Sequence, residues 1–329
     1  MNILSYSHAY VGSGHNGGAE TTLHDIMRLL RLEKHTTTAL LSKPHPDGSG
    51  SYVLDGVKVQ AHSSKRDPEL YFPTNDLIIS HLECAARSGM VAEKHKKKAI
   101  HLLHNDQDYC VGSAEKYAHG LIYNTEWIMG AYKSVPLRIP KVLFHPPVDP
   151  KRYTVETTRE YITLINLTIG TTNKLSYDKG GLTFYELARR FPHEKFLGVQ
   201  GGYGDQYIPS DLPGNVTILP HTNNILDVYR QSKVVLVPSK YESYGRVAVE
   251  SACSGIPSLL TDTAGTREAM GWAANFCERH DDFDEWEDKL NWLLATYDFS
   301  CESARERSHF NWARTLEEWK DVKRFLNEF

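Results

Sequence analysis

The stretch Lys233–Met270, KVVLVPSKYESYGRVAVESACSGIPSLLTDTAGTREAM, constrains the fold more than any other part of this chain. KVVLVPS is a short apolar run of the kind found in a sheet covered on both faces. Tyr241–Gly245 then turns the chain into a helix that closes at Gly255. Ile256–Leu260 reads as a second buried strand, and the loop Asp262–Arg267 leads to another helix at Glu268. Strands alternating with helices predict a parallel sheet, whose neighbours need a crossover between them. In such a sheet ligands collect outside the carboxyl ends of the strands, where helix N-termini offer unpaired N–H groups to anions. A diphosphate suits that place. Glu242 stands in the loop before the first helix and Glu250 inside it, so one carboxylate can reach outward and the other sideways.

The same alternation runs through the rest of the chain. Strands are expected at Asn2–Ser7, Thr36–Leu41, Val57–Gln60, Asp76–Ser80, Ala99–His104 and Gly120–Asn124, with a helix over Ala85–Lys94. Between the first two strands a loop with Gly12, Gly14, Gly17 and Gly18 precedes a helix from near Ala19. Its apolar positions Ala19, Leu23, Ile26, Met27 and Leu30 fall on one face. Gly12 to Gly17 superficially fits G-x-G-x-x-G, yet the second strand ends in Ser42-Lys43 and lacks the acid a dinucleotide site needs. His145–Pro150, HPPVDP, is the clearest boundary, since prolines resist both helix and central strand. Beyond it strands are expected at Tyr161–Leu167, Lys195–Gln200 and Asn215–Leu219, with a helix over Asn224–Ser232. Asp178-Lys179-Gly180-Gly181 opens a further helix that turns Leu182, Tyr185, Leu187, Ala188 and Phe191 inward. Trp286, Leu290 and Leu293 share one helix face near the end, and Leu316, Trp319, Val322 and Leu326 share another.

At 329 residues, 40% hydrophobic and 24% charged, the chain has room for two α/β domains. A net charge of −4 argues against a strongly basic nucleic-acid binder, and twelve of the 16 histidines fall before residue 150, a distribution that a cleft tolerating an anionic acceptor and histidines scattered on loops explain equally well. The five cysteines lack the close pairs of zinc or disulfide frameworks, and no apolar run approaches membrane-spanning length, so a soluble cytoplasmic protein is expected. Lys94–Lys98, KHKKK, reads as a solvated helix end. Asp106-Gln107-Asp108 imitates a metal-binding D-x-D pair but is common by chance, and no metal site is expected.

The Glu-x7-Glu spacing of Glu242 and Glu250, with Gly245 and Gly255-Ile256-Pro257 after it, resembles the donor-binding signature of retaining glycosyltransferases of family 4. That resemblance implies the GT-B fold: two Rossmann-like parallel-sheet domains facing an interdomain cleft. It places the domains at residues 1–147 and 148–306, with a helix over 307–329 crossing back to the first. By the family pattern Glu242 lies near the donor hexose and Glu250 hydrogen-bonds the nucleotide ribose. An ordinary i,i+4 ion pair between Arg246 and Glu250 on a solvated helix face is the competing explanation of the spacing.

Further matches extend the resemblance. Gly17-Gly18-Ala19-Glu20 is similar to the family's first loop, whose amides face donor phosphate and acceptor. The Lys179-Gly180 step is similar to the family's phosphate-contacting lysine. Lys174 stands where a preceding basic residue often lies, although by itself it reads first as a solvent lysine. The amides of Tyr244, Gly245 and Arg246 complete the donor set, and His104, at a strand end, is either beside the reacting sugar or a structural histidine. The implied activity is metal-independent, retaining transfer of a hexose, glucose favoured, from a nucleotide sugar such as UDP-glucose to an acceptor hydroxyl. The opening SHAY…GHNGGAETTLHD is similar to short phage-encoded members. This widens the acceptors to hydroxymethylated bases in phage DNA or virion proteins, beside lipids and small molecules. A non-catalytic nucleotide-sugar binder of the same fold is the alternative of another class.

Overall fold

The computed structural model describes residues 1–13, 17–43, 50–61, 67–170, 178–202 and 204–329. They divide into two compact units, Met1–Pro147 with Thr315–Phe329, and Val148–Arg314. Each is a parallel-sheet α/β unit, as the alternation of strands and helices predicts.

In unit 1 the strands are β1 (Asn2–Ser7), β2 (Thr36–Leu41), β3 (Ser51–Leu54), β4 (Val57–Gln60), β5 (Leu77–His81), β6 (Lys98–Leu103), β7 (Gly120–Tyr123) and β8 (Lys141–Leu143). They form one sheet in the order β3-β4-β2-β1-β5-β6-β7-β8, and only β3 and β4 pair antiparallel. The helices are α1 (Gly18–Leu32), α2 (Ala85–Lys94), α3 (Asp108–Tyr117) and α4 (Glu126–Ala131). Leu23, Ile26, Met27 and Leu30 of α1 are fully buried, a burial worth at most about 6–12 kcal/mol. Ala19 is only half-buried, because it lies in the first turn.

In unit 2, α5 (Pro150–Tyr153) precedes β9 (Tyr161–Ile165), α6 (Gly181–Arg190), β10 (Lys195–Val199), β11 (Val216–Leu219), α7 (Ile225–Tyr229) and β12 (Ser232–Val237). Then come α8 (Arg246–Ala252), β13 (Ser258–Thr261), α9 (Ala264–Met270), β14 (Asn275–Cys277), α10 (Phe283–Ala295) and α11 (Tyr297–Leu326). The sheet is wholly parallel, in the order β11-β10-β9-β12-β13-β14. Trp286, Leu290 and Leu293 are fully buried in its core.

Several details depart from the sequence reading. Leu182 is exposed because it sits at the second position of α6, before the helix settles on the sheet. Leu316 is likewise exposed, while Trp319, Val322 and Leu326 join the core of unit 1. Helix α9 begins at Ala264 rather than at Glu268, because the Thr263 hydroxyl accepts from the Thr266 N–H and caps it early. The last helix is continuous from Tyr297, and its residues through Arg314 belong to unit 2, where the sequence reading has a separate segment from residue 307. The reason is polar: Arg307 and Asn311 both donate to the Ala269 carbonyl at the end of α9.

Candidate active site

The strand order of unit 2 reverses between β9 and β12. The chain lays β10 and β11 on one side of β9, then returns to place β12, β13 and β14 on the other. Such a reversal leaves a crevice at the carboxyl ends of the two central strands. The segment before α6 and the segment after β12 meet there, since the Lys240 N–H donates to the Asp178 carbonyl at 3.0 Å.

Glycines allow this approach. Gly180 caps α6 with φ +80°, and a Cβ there would lie 2.3–2.5 Å from Pro238. A Cβ on Gly265, in the first turn of α9, would stand 2.4 Å from the Glu242 carbonyl oxygen. Pinned between these contacts, Lys179 and Glu242 meet: Lys179 Nζ donates to Glu242 Oε1 at 2.6 Å, and Ser239 Oγ donates to the same oxygen at 3.0 Å. The two side chains are 24% and 18% exposed, so the pair is neither sealed in the core nor free in solvent. A charge-assisted bond of this kind contributes about 1.5–3 kcal/mol at most, reduced by its contact with water.

Glu250 lies deeper. Arg246 Nε donates to its Oε1 at 2.5 Å, and the Tyr229 hydroxyl donates to its Oε2 at 2.8 Å. The other end of the Arg246 guanidinium donates to the Tyr153 hydroxyl at 2.9 Å. Burial first, and then the Glu250 charge, hold the Tyr229 hydroxyl well above its ordinary pKa, so it stays a donor. The i,i+4 ion pair therefore exists, but on a buried helix face rather than a solvated one. Gly245 caps α8 with φ +83°, and the buried Tyr244 accepts from Arg314 through its hydroxyl at 3.1 Å. The side chains of Tyr244 and Arg246 are thus engaged in packing, and what that loop presents is backbone.

The remaining expected residues belong to unit 1 or fall outside the description. The Gly17 N–H, offered by the sequence reading to a ligand, donates instead to Glu20 Oε2 at 2.7 Å, and Gly18 opens α1. Burial raises the pKa of the Glu20 carboxyl, partly offset by that amide. His104 is buried at the end of β6, edge-on to His81 with ring centroids 5.2 Å apart. Burial, then the neighbouring His104 and His8, press the His81 pKa well below the usual range and keep its ring neutral. Lys174 lies outside the described residues. Among the described residues no group of three or more His, Cys, Asp or Glu side chains is placed to hold a metal ion, and no helix is long and apolar enough to cross a membrane.

Sequence reasoning missed Ser239, Tyr229, Tyr153 and Gly265. Gly265 carried a signal, since a glycine two residues past a helix cap reports a close backbone approach. Tyr229 and Tyr153 carried none, because their contacts to α8 span 21 and 93 positions.

Comparison with known proteins bears on this unit first. Residues 209–308 match the family model of glycosyl transferases group 1, a span that includes Tyr229, Glu242 and Glu250 but not Lys179. The D-inositol 3-phosphate glycosyltransferase of Nocardia farcinica is 34% identical over 109 residues, 31% of this chain and 24% of that relative. The chain thus matches about a quarter of the length of such relatives. Among solved structures, Anabaena HepE in complex with UDP-glucose superposes over 100% of both chains with a TM-score of 0.77 at 15% identity. Sucrose-phosphate synthase from Thermosynechococcus elongatus does so over 100% of both, with a TM-score of 0.75 at 13% identity. At these identities the likeness establishes the fold alone, two parallel-sheet α/β domains as in GT-B glycosyltransferase structures.

Proposed function

We propose that this chain is a nucleotide-sugar-dependent glycosyltransferase that moves a hexose, glucose favoured, to an acceptor hydroxyl with retention of configuration and without a metal. The observation that carries the reading is the Lys179 Nζ–Glu242 Oε1 contact of 2.6 Å, set at the reversal point of the second sheet. An ammonium beside the N-terminus of the ten-residue helix α6 suits a diphosphate. A fixed, half-open carboxylate next to it suits sugar hydroxyls. The match of residues 209–308 to glycosyl transferases group 1 supports the same assignment, as does the likeness to a UDP-glucose-bound protein.

On this reading the bond between the anomeric carbon and the donor phosphate oxygen breaks, and the acceptor oxygen joins the same face of the sugar. A donor phosphate oxygen takes the acceptor proton. Lys179 and the amides of Tyr244, Gly245 and Arg246 stabilise the charge that grows on the leaving diphosphate. Glu242 orients the hexose and Glu250 the ribose. The Gly18 amide serves the donor phosphate and the acceptor, His104 aids acceptor or hexose positioning, and Lys174 adds a phosphate contact. The setting is cytoplasmic, and acceptors range from a hydroxymethylated base in DNA to a protein, lipid or small molecule.

The test is a thermal-shift and donor-hydrolysis screen against nucleotide sugars, with and without hydroxymethylated duplex DNA. Stabilisation by one donor with slow nucleotide release identifies the donor, and acceleration by the DNA identifies the acceptor. Binding without turnover against any acceptor class favours a non-catalytic binder, and no binding at all refutes the assignment.

A further inference from the structure

The buried cluster around Glu250 contains a residue that no motif assigns. Three side chains converge on α8: Arg246 from the helix itself, Tyr229 from the end of α7, and Tyr153 from the end of α5. Arg246 Nε donates to Glu250 Oε1 at 2.5 Å and its terminal nitrogen donates to Tyr153 at 2.9 Å, while the Tyr229 hydroxyl holds Glu250 Oε2 at 2.8 Å. Tyr229 is fully buried.

An arginine next to a carboxylate, left to itself, takes both oxygens with its two parallel N–H groups. Here it does not, because Tyr153 engages the other end of the fork and Tyr229 occupies the second oxygen. Each carboxylate oxygen therefore accepts one bond from a different donor. A carboxylate has about four acceptor positions, so each oxygen, taking one bond here, has capacity for another. The Glu250 side chain keeps 9% of its surface open. Two acceptor positions held in one plane at a fixed separation match two vicinal hydroxyls.

We propose that Tyr229 is a positioning residue for the donor site: by holding Glu250 Oε2 it keeps the carboxylate from closing onto Arg246 and presents both oxygens to a vicinal diol, so that the site discriminates a ribonucleotide from its 2′-deoxy counterpart. The inference rests on the assignment of Glu250 to the nucleotide ribose. Without the Tyr229 hydroxyl, Glu250 turns into a side-on pair with Arg246 and loses the diol geometry, although charge and fold persist.

The experiment is titration calorimetry of the full chain with UDP, ADP and GDP, each against its 2′-deoxy form, for the wild type, Tyr229→Phe and Tyr153→Phe. One hydrogen bond from a hydroxyl to an ionised acceptor corresponds to a preference of roughly tenfold to a hundredfold. The wild type is expected to show that preference for the ribose form of the nucleotide it binds. Tyr229→Phe is expected to reduce it to about threefold or less while holding the 2′-deoxy form with wild-type affinity. Tyr153→Phe, which removes the hydroxyl engaged by the far end of the fork, reduces it in the same direction. A purely structural role for Tyr229 would instead weaken both nucleotides equally and leave the preference intact, and that result overturns the proposal. A wild type that binds a nucleotide without any ribose preference removes the role of Glu250 itself, a failure distinct from that of Tyr229. Near-ultraviolet circular dichroism on each variant establishes that it is folded, and should Tyr229→Phe not fold, Tyr153→Phe with an unchanged preference overturns the proposal.

Discussion

Replacing Gly180 with alanine tests the construction of the site through stability alone. The residue has φ +80°, a conformation that costs an L-residue about 1–2 kcal/mol. The added Cβ would stand 2.3 Å from Pro238 Cγ and 2.4 Å from the Pro238 carbonyl oxygen. A backbone oxygen and a proline ring cannot swing aside as a lysine tip can, so the loop after β12 must move, at a cost typical of overpacking, about 1–3 kcal/mol. The expected loss is therefore about 2–5 kcal/mol, a fall of roughly 5–15 °C in the melting transition of a unit this size. Gly214→Ala is the matched control, because nothing lies within 4 Å of its Cβ position and its φ is not positive. Differential scanning calorimetry of the two variants against wild type reads the difference. If Gly180→Ala melts within a degree of Gly214→Ala, the close approach of α6 to the β12 loop is wrong, and with it the placement of Lys179.

Other consequences follow from the same packing. Trp286 is fully buried and donates from Nε1 to the Arg279 carbonyl at 2.8 Å, so Trp286→Ala should cost about 3–5 kcal/mol in urea unfolding. His81 and His101 are held neutral, chiefly by burial, with His81 well below its ordinary pKa and His101 lowered to about 3. Both folded values are depressed below the unfolded value of about 6.5. As pH falls below that value the unfolded chain therefore binds protons that the folded chain does not, and stability is lost. The expected slope approaches about 1.4 kcal/mol per pH unit for each ring, and His81→Leu should remove one ring's share between pH 6 and pH 4 on a chemical-denaturation series. Because the phosphate is assigned to an ammonium and amides, EDTA should leave transfer rates unchanged. A rate restored by added magnesium after chelation contradicts that assignment.

Much of this was legible in the sequence because the signals were local. β12, the glycine at the start of α8 and the Lys-Gly step before α6 each follow from runs of a few residues. The β3–β4 hairpin had such a signal too, Asp55-Gly56 with φ +48° and +81°, and it went unread because β3 is only four residues long and none of them is buried. α3 gave little sign, since only Cys110, Ser113 and Ala114 of its ten residues are buried. Around the site, Glu242 and Glu250 could be found by spacing, but not their partners. Lys179 is 63 positions from Glu242, and Tyr229 reaches Glu250 from another helix. Only the fold makes them neighbours. The inward turn of Arg246 was illegible for a further reason, because an i,i+4 pair reads the same on a buried face as on a solvated one.

The central claim is that Lys179 and the start of α6 receive the diphosphate of a nucleotide. Titration of a nucleoside diphosphate against its monophosphate, with wild type and with Lys179→Ala, tests it most directly. The account predicts tighter binding of the diphosphate by the wild type, about tenfold or more, and near-equal binding of the two by the variant. A preference that survives in Lys179→Ala, or a wild type that binds neither nucleotide, would contradict it.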